Sequence, residues 1–480
     1  MNLQATIFDV FSYALLSYAV LLLTIYTLIG FFSIAETRAY VRKNSFTDYR
    51  VLASSPDAPS VSILAPAFNE GATIIDNVRS LLSLNYINLE VIVINDGSTD
   101  DTLAKLISAY DLYELDFFVN HQIITQPVKV VYKSHNPVYK KLIVVDKFKG
   151  GKADSLNVGI NISKNDYLVS IDVDCVLEQD ALLKLCKPFL EQTEKRVIAT
   201  GGVLRIVNSC DIEGGRLVKI NLPEEFLPRV QTLEYIRAFL LSRMAWTRLN
   251  GLLLISGAFG AFDKDIVISC GGYNNETVGE DMELVVRMRR FMEEKKEPYK
   301  VAFIPDPLCW TEAPATYKNL GRQRNRWTRG TIETLYTHRK MFFNPKYHVL
   351  GMVSYPYWLF FEYLAPIIET VGFLAFLLFC FIGVVTWSCF FIMMSIFSVG
   401  VLYSIFAILM EVLTYNQYKQ KKDVLRLLLV AMAEPIFFHP FVVASAIKGN
   451  FDILRKRKSW GEMTRRGFTH LDKNKNKYGN

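Results

Sequence analysis

Leu89-Glu90-Val91-Ile92-Val93-Ile94-Asn95-Asp96-Gly97-Ser98-Thr99-Asp100 decides how this chain is read. Its first half is a short apolar run, as expected of a strand covered on both faces. Its second half is a turn sequence carrying acids. A helix is predicted over Asp100 to Tyr110. The same unit recurs nearby: Ser60 to Ala65 reads as a strand and Thr73 to Leu84 as a helix, with further strands at Lys140 to Val145 and Tyr167 to Ile171. This alternation predicts a largely parallel sheet covered by helices. Such sheets bind ligands outside the carboxyl ends of their strands.

Those ends are rich in acids and amides. One strand leads into Pro66-Ala67-Phe68-Asn69-Glu70, the next into Asn95-Asp96, and a later one into Asp172-Val173-Asp174. Any one of these is an ordinary turn; several at one sheet edge make a site. Asp172 and Asp174 alternate along an extended segment, so one can reach a metal while the other braces the loop or a ribose. Oxygen ligands favour Mg²⁺ or Mn²⁺. Gly150-Gly151-Lys152-Ala153-Asp154 reads as a loop entering a helix, where glycines admit a ligand to the backbone and Lys152 offers a point charge. The spacing of a Walker phosphate loop is absent. Gly279-Glu280-Asp281 opens another helix, and its acids suit either the helix dipole or a general base beside a phosphate site.

Gln323-Arg324-Asn325-Arg326-Trp327 lies just before a long apolar zone. Arginine clamps phosphate with two parallel hydrogen bonds. Tryptophan offers a flat face for a sugar ring. Together they suggest a membrane enzyme that uses nucleotide-sugars.

The chain has 480 residues, 51% of them hydrophobic, and that excess gathers at two places. Val10 to Ala35 carries no charge and is long enough to cross a hydrocarbon core of about 30 Å; it reads as a retained anchor. Arg38, Arg42 and Lys43 follow it and put that side in the cytoplasm. The second zone divides into spans near 352–384, 387–413 and 424–447. Pro356, Glu362, Pro366 and Glu369 interrupt the first, and Glu434-Pro435 with His439-Pro440 the third. The expected domains are an anchor over 1–45, a catalytic domain over 46–345, a membrane bundle over 346–448 and a cytoplasmic tail over 449–480. From Lys448 onward there are ten Lys or Arg against three Asp or Glu, so the tail belongs in the cytoplasm; one span before the domain and three after would put it outside. Seven cysteines show no paired metal spacing and are expected as free thiols. The net charge of +7 fits membrane lipids rather than nucleic acid. Trp246, Trp310 and Trp358 read as packing or interface aromatics, and Tyr235 as equally core or ligand-facing.

Taken in order, these motifs resemble the membrane-bound processive members of glycosyltransferase family 2, which include poly-N-acetylglucosamine, hyaluronan, chitin and cellulose synthases. Gln231-Thr232-Leu233-Glu234-Tyr235, Ser256-Gly257-Ala258-Phe259-Gly260 and Thr311-Glu312-Ala313-Pro314 complete the set. The resemblance implies a Rossmann-like α/β GT-A domain in the cytoplasm, inserted between transmembrane helices, that binds a UDP-sugar. It implies that Asp96, Lys152 and Asp154 serve the nucleotide. Asp174 would hold Mg²⁺ or Mn²⁺ with Asp172 in support, and Asp281 would be the base. Gln323, Arg326 and Trp327, with Ser256, Gly257, Phe259 and Glu280, would serve diphosphate and acceptor. The expected activity is inverting, processive extension of a polysaccharide, with N-acetylglucosamine the first choice of sugar and export through the enzyme's own helices in the plasma membrane. An accessory export subunit is left open. Transfer of one sugar to a lipid acceptor is the alternative within this chemistry. A non-catalytic transporter or scaffold is the alternative from another class, and the complete acid and Arg-Trp sets speak against it.

Overall fold

A computed structural model describes residues 3–383 and 387–455. The strands in chain order are β1 (Val61–Ala67), β2 (Leu89–Asn95), β3 (Leu112–Leu115), β4 (Val128–Ser134), β5 (Leu142–Lys147), β6 (Tyr167–Ile171), β7 (Val176–Leu177), β8 (Arg196–Ile206), β9 (Asp211–Glu213), β10 (Arg216–Lys219), β11 (Phe259–Asp263) and β12 (Tyr299–Thr311). Ten of them form one sheet in the order β3-β4-β5-β2-β1-β6-β11-β8-β12-β7; β9 and β10 make a separate ribbon. β2 is buried almost throughout, in keeping with its continuous apolar run.

The sheet is mixed, which corrects the expectation of a largely parallel one. β5, β2, β1 and β6 run parallel, and so do β8 and β12. β11 lies between the two groups and is antiparallel to both β6 and β8. Parallel strands still bring Asn95-Asp96, Lys147 and Asp172 to a common edge, because β2, β5 and β6 all end there.

The helix Leu3–Asn44 precedes this domain. Its window Phe8–Asn44, with Ala365–Ile382 and Phe390–Thr414, is long and apolar enough to cross a membrane. The expected span over 352–384 is shorter than read: residues 350–363 form an irregular helical run against the domain, and a regular helix begins at Ala365. The expected break in the last zone is present. Lys421–Phe437 and His439–Leu454 meet at 46°, with Pro435 in the first and Pro440 opening the second.

This bent pair is tied to the soluble domain along its length. Glu411, just ahead of it, pairs with buried Arg205 of β8. Glu434 accepts from Arg237 Nη1 at 2.8 Å, and Asp452 accepts from Asn325 Nδ2 at 2.8 Å. Its outer face exposes Leu425, Leu429, Met432 and Ile436 in an i, i+4, i+7, i+11 stripe. Its inner face buries Leu427, Val430, Ala431 and Glu434. Beyond residue 455, the expected basic tail lies outside the described residues.

Candidate active site

A cavity of about 570 Å³ opens at the carboxyl edge of β6 and reaches the membrane helices. Lys152 and Asp172 line it on the sheet side. Ser256 and Gly257 line its floor, Glu280 and Asp281 one wall, and Gln323, Arg326 and Trp327 the opposite wall. Pro366, Val442 and Ala446 extend it into the membrane helices. Nine predicted site residues, spread over 176 positions of sequence from Lys152 to Trp327, therefore face one space.

Asp96 and Asp154 sit beside this cavity in a buried cluster. Lys147, fully buried, reaches Asp96 Oδ1 at 2.6 Å and Asp154 Oδ2 at 2.7 Å, and donates to the Phe148 carbonyl at 2.6 Å. Asp96 also accepts from the backbone amides of Gly150 and Gly151, each at 2.8 Å. Gly151 has φ 91°, a left-handed conformation that suits glycine, and opens the helix Lys152–Ile162. Asp154 accepts from the Gln126 amide at 3.0 Å. The two acids thus set the shape of the loop that delivers Lys152. The strand expected to end at Val145 runs on to Lys147; a lysine closing the strand after Asp146, level with Asp96 on the neighbouring one, was the available signal.

Lys152 contacts Asp172 directly, and its Nζ lies 3.9 Å from Glu280. Burial disfavours its charge, but Asp172 and Glu280 outweigh that and hold the ammonium above its ordinary pKa. Burial raises the Glu280 carboxyl; Lys152 opposes this and Asp281 adds to it. Asp281 Oδ2 accepts from the Gly257 amide at 2.9 Å and Oδ1 from the Met282 amide at 2.8 Å. Each oxygen keeps a second lone pair. Asp174 is buried. Among the described residues no three His, Cys, Asp or Glu side chains converge as a metal cage. The oxygen donors of Asp174 and neighbouring Asp172 suit a divalent ion that takes its other ligands from diphosphate and water, as Mg²⁺ and Mn²⁺ do.

The helix Tyr317–Thr337 carries the opposite wall, capped by Thr316. Within Gln323–Trp327 the residues divide by direction. Arg324 turns to Glu234 at 2.6 Å and stacks 4.2 Å over the Trp327 ring. Gln323 keeps its Oε1 buried with no hydrogen-bond partner among the described residues, and Trp327 remains 40% exposed.

Phe259 departs from the expectation of an acceptor-binding role. It is fully buried in β11, against Gly202. The cavity lining stops at Ala258, just before the strand begins, and the Phe259 ring packs in the core. Trp358, expected as a packing or interface aromatic, lines the cavity with its indole Nε1 buried and unpartnered among the described residues. Arg243 and Glu362 join it there. Tyr235 lines the cavity as well, and Gln231 holds the Thr311–Pro314 loop by donating to the Pro314 carbonyl at 2.8 Å. Trp246 and Trp310 are buried, as read.

The family model described as Glycosyltransferase like family 2 matches residues 58–330, more than half of the chain. The chain belongs to glycosyltransferase family 2. A second family model, Chitin synthase, matches residues 270–477. Poly-beta-1,6-N-acetyl-D-glucosamine synthases of Staphylococcus epidermidis and Staphylococcus aureus are 28% identical, over 57% of this chain and 55% of theirs. The match thus spans about half the length of those relatives. A mannosyltransferase of Pyrobaculum calidifontis, solved with GDP-Man and Mn²⁺, aligns with 85% of this chain and 99% of its own at 16% identity and a TM-score of 0.49. The mixed sheet with acids at its carboxyl edge is the GT-A fold of this glycosyltransferase family.

Proposed function

We propose that this glycosyltransferase is an inverting, processive β-glycosyltransferase. It takes sugar from a UDP-sugar, most simply UDP-N-acetylglucosamine, and passes the growing polysaccharide into its own membrane helices. The observation that carries this reading is the continuity of the cavity. One space joins Lys152, Asp172 and Asp281 to Pro366 and Ala446 of the membrane-associated helices. The Staphylococcus synthases to which the chain is similar favour N-acetylglucosamine as the sugar.

Asp281 removes the proton from an acceptor hydroxyl, using a lone pair not committed to the Gly257 or Met282 amide. The hydroxyl attacks the anomeric carbon opposite the leaving diphosphate, so configuration inverts. Arg326 and Gln323 bind the diphosphate from the helix wall, and Arg326 stabilises the charge that develops there. Asp174, with Asp172, would hold Mg²⁺ or Mn²⁺, which when bound neutralises diphosphate charge. Asp96 and Asp154, through Lys147, keep the Gly150-Gly151 loop open to the nucleotide. Trp327 and Trp358 offer faces to acceptor sugars.

In this reading the bent pair lies along the soluble domain, a placement supported by its contact with Asn325, and Ala365–Ile382 and Phe390–Thr414 are the spans that follow the domain among the described residues. That count returns residue 455 to the domain's side, and the basic flank of the anchor makes that side cytoplasmic.

The test is made on the purified chain in lipid with Mg²⁺ or Mn²⁺. UDP-N-acetylglucosamine, UDP-glucose and UDP-glucuronate are offered separately, UDP release is measured and products are sized. A long polymer from UDP-N-acetylglucosamine is expected. A single sugar on a lipid would replace the processive reading, and no UDP release from any donor would remove the UDP-sugar.

A further inference from the structure

Residues 323, 326, 330 and 333 fall on one stripe of the Tyr317–Thr337 helix. The first two line the cavity. The next two grip the loop that carries Asp281. A Cβ on Gly330 would come within 2.7 Å of the Gly279 Cα, and a Cβ on Gly279 within 2.7 Å of the Gly330 Cα. No side chain fits between the two backbones. One turn on, Glu333 Oε2 accepts from Thr277 Oγ1 at 2.8 Å and from the Val278 amide at 3.0 Å. Thr277 Oγ1 accepts in turn from the Gly279 amide at 3.1 Å. Gly279 is the cap of the helix Glu280–Lys295, two residues before Asp281. A second tie binds the two helices further along, where buried His338 meets buried Glu283 at 3.2 Å.

We propose that Gly330 and Glu333 are positioning residues that make the place of Asp281 a function of the place of Arg326. The two groups are carried by one rigid unit, a helix crossed by a loop with glycine on both sides. Seating Arg326 on the donor diphosphate therefore sets the distance from Asp281 to the acceptor hydroxyl. The base is correctly placed when the donor is held, which disfavours attack by water on a half-formed site. This inference rests on the proposed roles of Asp281 and Arg326.

The experiment compares Gly330→Ala, Glu333→Ala and Glu333→Gln in the full chain, reading kcat for transfer and, separately, the dissociation constant of UDP-N-acetylglucosamine. Displacing a reacting group by about 1 Å costs on the order of 100-fold, and that loss of kcat is expected for Gly330→Ala. Loss of the two Glu333 hydrogen bonds is expected to lower kcat about tenfold in Glu333→Ala. Glu333→Gln keeps a carbonyl acceptor for both donors and should restore kcat to within roughly threefold of the unsubstituted enzyme. Donor affinity should stay within about threefold throughout. Unchanged kcat in Gly330→Ala overturns the proposal, as does donor affinity falling in step with kcat. If Gly330→Ala does not fold, the Glu333 pair decides: Ala and Gln variants of equal kcat overturn it. Asp281→Asn is run in parallel; if it retains turnover, the reading of Asp281 as base fails and not the coupling alone.

Discussion

The acid cluster beside the cavity and the helix wall of the cavity are built on different plans. On the sheet side, Asp96 and Asp154 are held by Lys147 and by backbone amides of their own chain. On the helix side, the Gln323 Oε1, the Trp358 Nε1 and the Arg243 Nε are buried without a hydrogen-bond partner among the described residues. Buried polar atoms left unmatched are costly, so they mark places where a ligand or water completes the structure. The Lys147 cluster is a finished frame, whereas the helix wall is completed by what it binds. Substitutions on the first should therefore cost stability, and on the second activity.

The largest effect sharpens the chemical side of that contrast. Asp281→Asn is expected to lower transfer about 10³-fold, within the range that a positioned base contributes. Calorimetric donor binding should stay near the unsubstituted value. Near-normal turnover in this variant would remove Asp281 from the mechanism.

Lys147→Met tests the finished frame. It leaves two buried carboxylates without their cation, and breaking such a buried set costs about 3–5 kcal/mol. Denaturant or thermal unfolding of the detergent-solubilised chain measures it. A loss under about 1 kcal/mol, typical of a surface change, would mean that the cluster does not hold the loop.

Trp358→Ala probes the unfinished wall. An aromatic contact is worth about 0.5–1.5 kcal/mol, so the acceptor concentration at half-maximal rate should rise up to about tenfold while donor affinity stays constant. Equal changes in both would place Trp358 in packing alone.

The smallest effect is one of pH. Burial works against the Glu283 carboxylate, but the His338 hydrogen bond and Arg287 outweigh it and hold its pKa below 4.5. A carboxyl with a lowered folded pKa stabilises fully above its unfolded value, here 4.5, and loses that contribution as pH falls through the folded value. Melting curves of Glu283→Gln should therefore depend less on pH below 4.5 than those of the unsubstituted chain. Parallel acid limbs in the two proteins would show that the tie between the helices contributes nothing there.

Much of the parallel half of the fold was legible locally. β2 and β6 lie where their apolar runs put them, and the helix read at Asp100 to Tyr110 spans Thr102–Tyr110. β11 was not legible as a strand, since Phe259–Asp263 pairs with β6 and β8, more than fifty residues away. That pairing also explains Phe259, whose motif position gave no hint of which way the ring would point. The membrane zones were found by composition, while the irregular run at 350–363 and its Trp358 became part of the cavity only through packing against the soluble domain.

The amino-acid sequence by itself determined the family, the parallel strand units, the acids at their ends and the apolar helices. These depend on residue type and short spacing, which act over one or two turns of chain. Tertiary structure alone decided that Lys147 would join Asp96 to Asp154, that Gly279 would cross Gly330, and that the bent pair would lie along the domain. Each of these joins groups far apart in the chain, where close packing and the need to match every buried charge select the partner.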